Sequence, residues 1–317
     1  MMVSRISVTS LPENVVLEIF SYLSIPERCQ IARVCRLWSH LIRDKYLWQY
    51  VDLTSNPIPP KTLWKVIRGY LSDSLRSLSL HGFLYSVKKT DCLSHALLEE
   101  LSSRCPKLTC ILIQCANLTM IKSHKFPRNL KRLYIVHCEV TPHWLKSAVE
   151  ENRLKSMEEL SFCDSKRFSD IDIDYVSKLT NLKLLNLNNC YRITDEAVNK
   201  LTNSLLGLKT LILSGCSITD LSIHFVSHRL KNIQTLDISR CTTLTNSSLA
   251  ILGFPYCPRF LKVQGCNCLL VQDLAKVVKA NSGLISIEFK EDDEIKFLTQ
   301  ANFDSFLKNS EEQEQQE

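Results

Sequence analysis

Glycine is scarce, seven residues in 317, and none stands in a G-x-x-x-x-G-K or G-x-G-x-x-G phrase. Without such a loop there is no backbone cradle for a nucleotide phosphate. No H-E-x-x-H is present, and Cys266 and Cys268, though close, lack the second ligand pair that a tetrahedral zinc site needs. No cofactor is expected. Met1 to Ser10 lacks the apolar run of a secretory signal, and no stretch approaches the roughly 20 apolar residues that cross a bilayer. The fourteen cysteines are therefore expected to be reduced thiols, as in the cytoplasm or nucleus. The net charge of +6 is moderate and the Lys and Arg residues are scattered along the chain. A nucleic-acid binder would gather them with aromatic residues between, so neither nucleic acid nor membrane is an expected partner.

What the chain does have is a nine-residue phrase, L-x-x-L-x-L-x-x-C, clearest at Leu182 to Cys190. It returns from Leu130, Leu208, Ile233 and Pro258 with Cys at the ninth place, and in weaker form from Leu75, Leu108, Met157 and Leu284. Successive copies start 33, 22, 27, 25, 26, 25, 25 and 26 residues apart. Alternation at the fourth and sixth places describes a short strand with one buried face. A small, poorly hydrated Cys suits the crowded turn that follows. Ser or Thr then precedes Asp, as in Ile193-Thr194-Asp195 and Ile218-Thr219-Asp220, which is a helix N-cap with an acidic first turn. One strand, one turn and one helix per period, none able to bury its own core, predict an α/β leucine-rich repeat solenoid of about nine Cys-type repeats with parallel strands on the concave face.

The fifth and seventh places of each strand are expected to form the concave wall. Leu112, Tyr134, Val136 and Ile212 offer apolar anchors there, and Asn186, Asn188 and Asp237 offer polar contacts. These seven are the candidate substrate-binding residues, suited to a protein surface rather than a phosphate chain. His137-Cys138 resembles a Cys/His nucleophile, but Cys138 is a turn residue and should be inert. Cys163, beside Asp164 on the concave side, is the one thiol whose reactivity merits a test. No catalytic residue is expected.

Residues 10–53 lack the repeat. Ser10 with Glu13, and Ser24 with Glu27, read as capping boxes opening two helices, the second running to about Val34 with Pro26 in its first turn. Val16, Ile19, Phe20 and Leu23 fall on one stripe of the first helix, a third piece carries Trp38, and Leu47-Trp48 follow. Helices this short make a small core, so some of these apolar side chains should serve a partner. L-P-E-N-V-V-L-E-I-F-S-Y-L, A-R-V-C-R-L-W and Y-L-W resemble the F-box, the motif that docks receptor proteins onto the Skp adaptor of cullin-RING ubiquitin ligases. Asn14-Val15-Val16 departs from the usual Glu-Leu-Leu of that motif while keeping its apolar character.

An F-box followed by Cys-type repeats resembles the F-box/leucine-rich-repeat family. The resemblance implies a non-catalytic substrate-recognition subunit of an SCF-type ligase, partnered by the Skp adaptor, through it the cullin-RING ligase, and protein substrates. It implies adaptor-binding roles for Leu11, Pro12, Ile19, Phe20, Leu23, Pro26, Val34, Trp38, Leu47 and Trp48. The alternative is a non-catalytic scaffold or inhibitor working outside a ligase. Expected boundaries are a disordered N-terminus over 1–9, the F-box over 10–53, a Pro-rich linker and capping helix over 54–74, repeats over 75–308 with a capping helix near 297–307, and a disordered acidic tail over 309–317.

Overall fold

The structure, a computed structural model, describes residues 11–85, 93–252, 258–291, 294–304 and 306. Ser10, the long insert after Tyr85, and the two expected disordered ends lie outside the described residues.

Three helices come first: α1 (Glu13–Ser21), α2 (Ile25–Ile31) and α3 (Arg36–Leu41), followed by a 3-10 turn over Lys45–Trp48. Pro12 is the N-cap of α1, and the Ser24–Glu27 capping box opens α2 with Pro26 in its first turn. That helix stops at Ile31, three residues short of the expected end, and Cys35 then caps α3 by accepting from Trp38 N.

The chain enters the sheet earlier than the repeat phrase predicts. Strand β1 (Tyr50–Leu53) belongs to it, and α4 (Pro60–Tyr70) follows the Pro-rich joint. The strands after it are β2 (Ser77–His81), β3 (Cys110–Gln114), β4 (Arg132–Val136), β5 (Glu159–Cys163), β6 (Leu184–Asn186), β7 (Thr210–Ile212), β8 (Thr235–Asp237), β9 (Phe260–Lys262), β10 (Ser286–Glu291) and β11 (Glu294–Thr299). All pair in chain order, β1 to β10 in parallel and β11 antiparallel to β10. The helices between them are α5 (His95–Arg104), α6 (Lys146–Glu150), α7 (Asp170–Val176), α8 (Asp195–Ser204), α9 (Asp220–Arg229), α10 (Asn246–Ile251) and α11 (Val271–Ala280). Between β3 and β4 the shortest period holds only a 3-10 turn, Ser123–Lys125.

Over the first three residues of the capping helix expected near 297–307 the chain instead makes β11, and it is helical at Phe303, Asp304 and Phe306. Its Leu298 is buried while Ile295 and Phe297 are exposed, the two-residue alternation of a strand. An antiparallel hairpin satisfies the backbone edge that the last parallel strand would otherwise leave open.

The core is the ladder of fourth and sixth positions: Leu160, Phe162, Leu185, Leu187, Leu211, Leu213, Leu236 and Ile238 are each wholly buried. Two further ladders tie one repeat to the next. The ninth-position thiols of Cys138, Cys190, Cys216, Cys241 and Cys266 donate to the carbonyls of Ile113, Phe162, Leu187, Leu213 and Ile238, each at the sixth position of the preceding repeat. Burial pushes Cys190 and Cys241 up to about 12, so these thiols stay protonated donors. The first-turn Asp residues reach forward rather than only facing their own helix. Asp170 accepts from Thr194 N and Oγ1, Asp195 from Thr219 N and Oγ1, and Asp220 from Thr245 N and Oγ1. The eighth position is left-handed in seven consecutive repeats: Cys115, His137, Asp164, Asn189, Gly215, Arg240 and Gly265 all have positive φ. At Gly215 a Cβ would meet Asn189 Oδ1 at 2.6 Å, so a side chain there would have to displace the Asn189 amide as well as adopt the left-handed backbone.

Candidate functional site

Two surfaces are built by this arrangement, one on the helical head and one on the concave sheet. In the head, Val16 and Phe20 turn inward, and Phe20 meets Trp38 edge-on at 5.4 Å between ring centroids. Arg28 is buried with no carboxylate partner among the described residues. It donates to the carbonyls of Phe20 (3.2 Å), Ser21 (2.7 Å) and Leu47, closing the exposed end of α1 onto the 3-10 turn. Burial lowers its pKa from the ordinary guanidinium value. Trp48 donates Nε1–H to Ile42 O and stacks its ring on Tyr70 of α4, 4.5 Å between centroids. The head is thereby packed onto the first helix of the solenoid.

This packing divides the adaptor-binding candidates. Ile19 and Val34 are exposed at 43% and 63%, and Pro12 is exposed as well. Leu11, Leu23, Pro26 and Trp38 are half-buried, with Trp38 Nε1 lacking a hydrogen-bond partner among the described residues. Phe20, Leu47 and Trp48 are buried at 2%, 3% and 0% and form the core of the head and its joint, so they present no surface to a partner. The single stripe expected on α1 is in fact two. Val16 and Phe20 face the core, while Val15, Ile19 and Tyr22, at i, i+4 and i+7, line the outer face. That spacing was present in the sequence and was the signal for Val15 and Tyr22. No local pattern pointed to Arg28.

On the sheet, register sets the fifth-position residues side by side: Leu112 beside Tyr134, then Ser161, Asn186, Ile212 and Asp237. Leu112, Tyr134, Val136, Asn186, Asn188, Ile212 and Asp237 are all partly exposed on this face. Several are also engaged within the chain. Tyr134 donates its hydroxyl to Glu159 and, half-buried, has its pKa raised. Asn186 and Asp237 accept from the backbone of Asn188 and Ser239, and Asn188 accepts from Arg240 at 2.8 Å. Ser161, Ser214 and Ser239, at the fifth and seventh places, are instead buried.

Cys163 is half-buried. Its thiol donates to Asp164 Oδ2 at 2.9 Å, and Asn188 Nδ2 donates to its sulfur at 3.2 Å. Burial and the adjacent carboxylate push it up to about 11, which leaves a protonated, weakly nucleophilic thiol at neutral pH. The third position of each strand shares the concave face with the fifth, because side chains two apart point the same way. This adds Arg132, Glu159, Leu184 and Phe260, the last 42% exposed. The motif places them one residue before a buried position, and that offset was the available signal.

Residues 8–54 match the F-box-like family. The human F-box/LRR-repeat protein 12 is 31% identical over 251 residues, covering 78% of this chain and 77% of that protein. The Bos taurus protein of the same name is 31% identical over 230 residues, covering 72% and 71%. Among solved structures, the Rad7 and Elc1 complex in yeast contains a chain 15% identical with a TM-score of 0.43, covering 90% of this chain and 89% of that one. With a helical F-box at its start, a stacked repeat sheet behind it, and this identity over most of its length, the chain belongs to the F-box/leucine-rich-repeat family and is similar to its protein 12.

Proposed function

We propose that the protein is a substrate receptor of an SCF-type ubiquitin ligase, the outer face of its F-box docking the Skp adaptor and the concave sheet holding the protein to be modified. The observation that carries this reading is the split of the head's apolar residues. Its own core and joint consume Val16, Phe20, Leu47 and Trp48, yet Val15, Ile19, Val34 and Leu37 are each left exposed on a module of about forty residues. A head with no partner would gain nothing from that surface.

The receptor needs no catalytic group of its own. Holding a target lysine near an enzyme anchored at the other end raises its effective concentration, and the rigid joint at Trp48 and Tyr70 preserves that geometry. The ladder thiols act as S–H donors, which suits the reducing cytoplasm or nucleus where such ligases work. The test is co-purification of adaptor and cullin with the full chain and with an Ile19→Glu, Val34→Glu variant, whose sites lie outside the core. Loss of the adaptor with an unchanged circular dichroism spectrum is expected. Undiminished adaptor binding would overturn the reading. Adaptor without cullin would assign the protein to a scaffold acting outside a ligase.

A further inference from the structure

The basic residues that look dispersed along the sequence are brought into one row by the repeat. The residue just before each strand passes its carbonyl to the backbone N–H of the matching residue in the next repeat: Arg76 to Thr109 (3.0 Å), Thr109 to Lys131 (2.8 Å), Lys131 to Glu158 (2.7 Å), Glu158 to Lys183 (2.7 Å), Lys183 to Lys209 (2.8 Å) and Lys209 to Gln234 (2.7 Å). The row continues to Arg259, whose carbonyl accepts from Ile285. These residues therefore stand one strand spacing apart, over about 34 Å of the rim where the strands begin. Five of the eight from Arg76 to Arg259 are Lys or Arg, and only Glu158 is acidic.

Glu158 does not neutralise the row. It is shared between Lys131 Nζ at 3.0 Å and Lys183 Nζ at 2.6 Å. Lys209 and Arg259 pair with no carboxylate among the described residues and are exposed. Directly inside the rim, on the concave face, stand apolar Leu184 and Phe260, each the next residue after a basic one, with Ile212 on the strand beyond Leu184.

We propose that this rim is the specificity surface for an acidic, extended segment of a partner protein, whose carboxylates meet Lys183, Lys209 and Arg259 while its alternate apolar side chains turn inward onto Leu184, Ile212 and Phe260. The inference rests on the substrate-receptor reading and names its substrate class. A segment of about ten extended residues matches the length of the row. Its two-residue alternation supplies one charged and one apolar edge, as the rim and the wall require.

A nucleic-acid strand fits less well. It carries a charge at every nucleotide and has no edge of alternate apolar side chains to turn onto Leu184, Ile212 and Phe260. Among the described residues, the third and fifth strand positions from Leu184 to Phe260 include a single aromatic ring, Phe260, where successive bases would need several to stack on.

The test is fluorescence anisotropy of the full chain with three labelled probes: an alternating Glu-Leu peptide of about ten residues, its Gln-Leu counterpart, and single-stranded DNA of equal charge. The acidic peptide is expected to bind, more weakly as salt rises, and the Gln peptide to bind at least about tenfold more weakly. Lys183→Glu with Lys209→Glu should cost about tenfold or more, Lys183→Arg with Lys209→Arg should retain binding, and Lys166→Glu at the opposite end of the strands should change nothing. Equal binding of the Gln peptide, tighter binding of DNA, or indifference to the charge reversal in a variant with native circular dichroism would overturn the proposal. Adaptor capture on the same samples separates the two readings. A chain that binds the acidic peptide and no adaptor sinks the ligase role alone, and one that binds adaptor with no charge preference sinks the rim alone.

Discussion

The helical head and the repeat sheet bury comparable side chains but are held in opposite ways. In the head each buried polar contact occurs once: Arg28 alone serves three carbonyls, and Trp48 alone joins the head to α4. In the sheet the same contact is made repeatedly, a thiol to a carbonyl and an Asp to a Thr, one period after another. A structure of singular contacts concentrates its stability in a few residues, whereas a stacked array spreads it over nearest-neighbour interfaces. The first is suited to presenting one defined surface, and the second to varying its exposed positions while the ladder persists.

Breaking the joint should have the largest effect. Trp48→Ala removes the stacked ring and a buried indole hydrogen bond, and is expected to cost about 3–5 kcal/mol in urea denaturation. It should also separate the melting of the head from that of the sheet. A single transition at the original midpoint would show that the head does not depend on its joint.

A mid-array break should be smaller and local. Asp195→Ala removes the acceptor for Thr219 N at 2.9 Å and Thr219 Oγ1 at 2.7 Å, and for Ser222 Oγ. The expected cost is about 2 kcal/mol, with loss of amide protection centred on Thr219 in hydrogen exchange. Loss of protection throughout the sheet would mean that the array is more cooperative than a chain of neighbour contacts.

The smallest effect belongs to the exposed rim. Glu158 has its carboxyl lowered from 4.5 to about 2, first through hydrogen bonds from Lys183 and Lys131. A depressed folded pKa contributes stability above the unfolded value and loses it as pH falls toward the folded one. The difference in Tm between the native chain and Glu158→Gln should therefore shrink from pH 6 to pH 2.5, and also in high salt. A gap that persists at low pH would assign it to packing instead of charge.

Much of the sheet could be read in advance because its signal is local and repeated. Leu211 and Leu213 announce a buried strand face, and Thr194 and Thr219 announce helix starts, from their immediate neighbours alone. The head was less legible. Val16, Ile19 and Phe20 are all apolar and close in sequence, and a helix of nine residues is too short for its periodicity to separate the inner face from the outer. Leu47 and Trp48 resembled surface residues by motif and proved to be core by packing. The end of the chain misled for a related reason, since Ile295, Phe297 and Leu298 suit either a helix or a strand until the open edge of β10 selects one.

By itself the sequence determined the period, the residues that face the core, and the places where helices begin, because backbone propensity and hydrophobic alternation act over a few residues. Only the tertiary structure decided that Asp195 is a staple to the next repeat, that Trp48 is a joint, and that dispersed lysines form a rim. Each of those depends on partners some 20 or more residues away, and such pairs exist only once neighbouring turns have stacked in register.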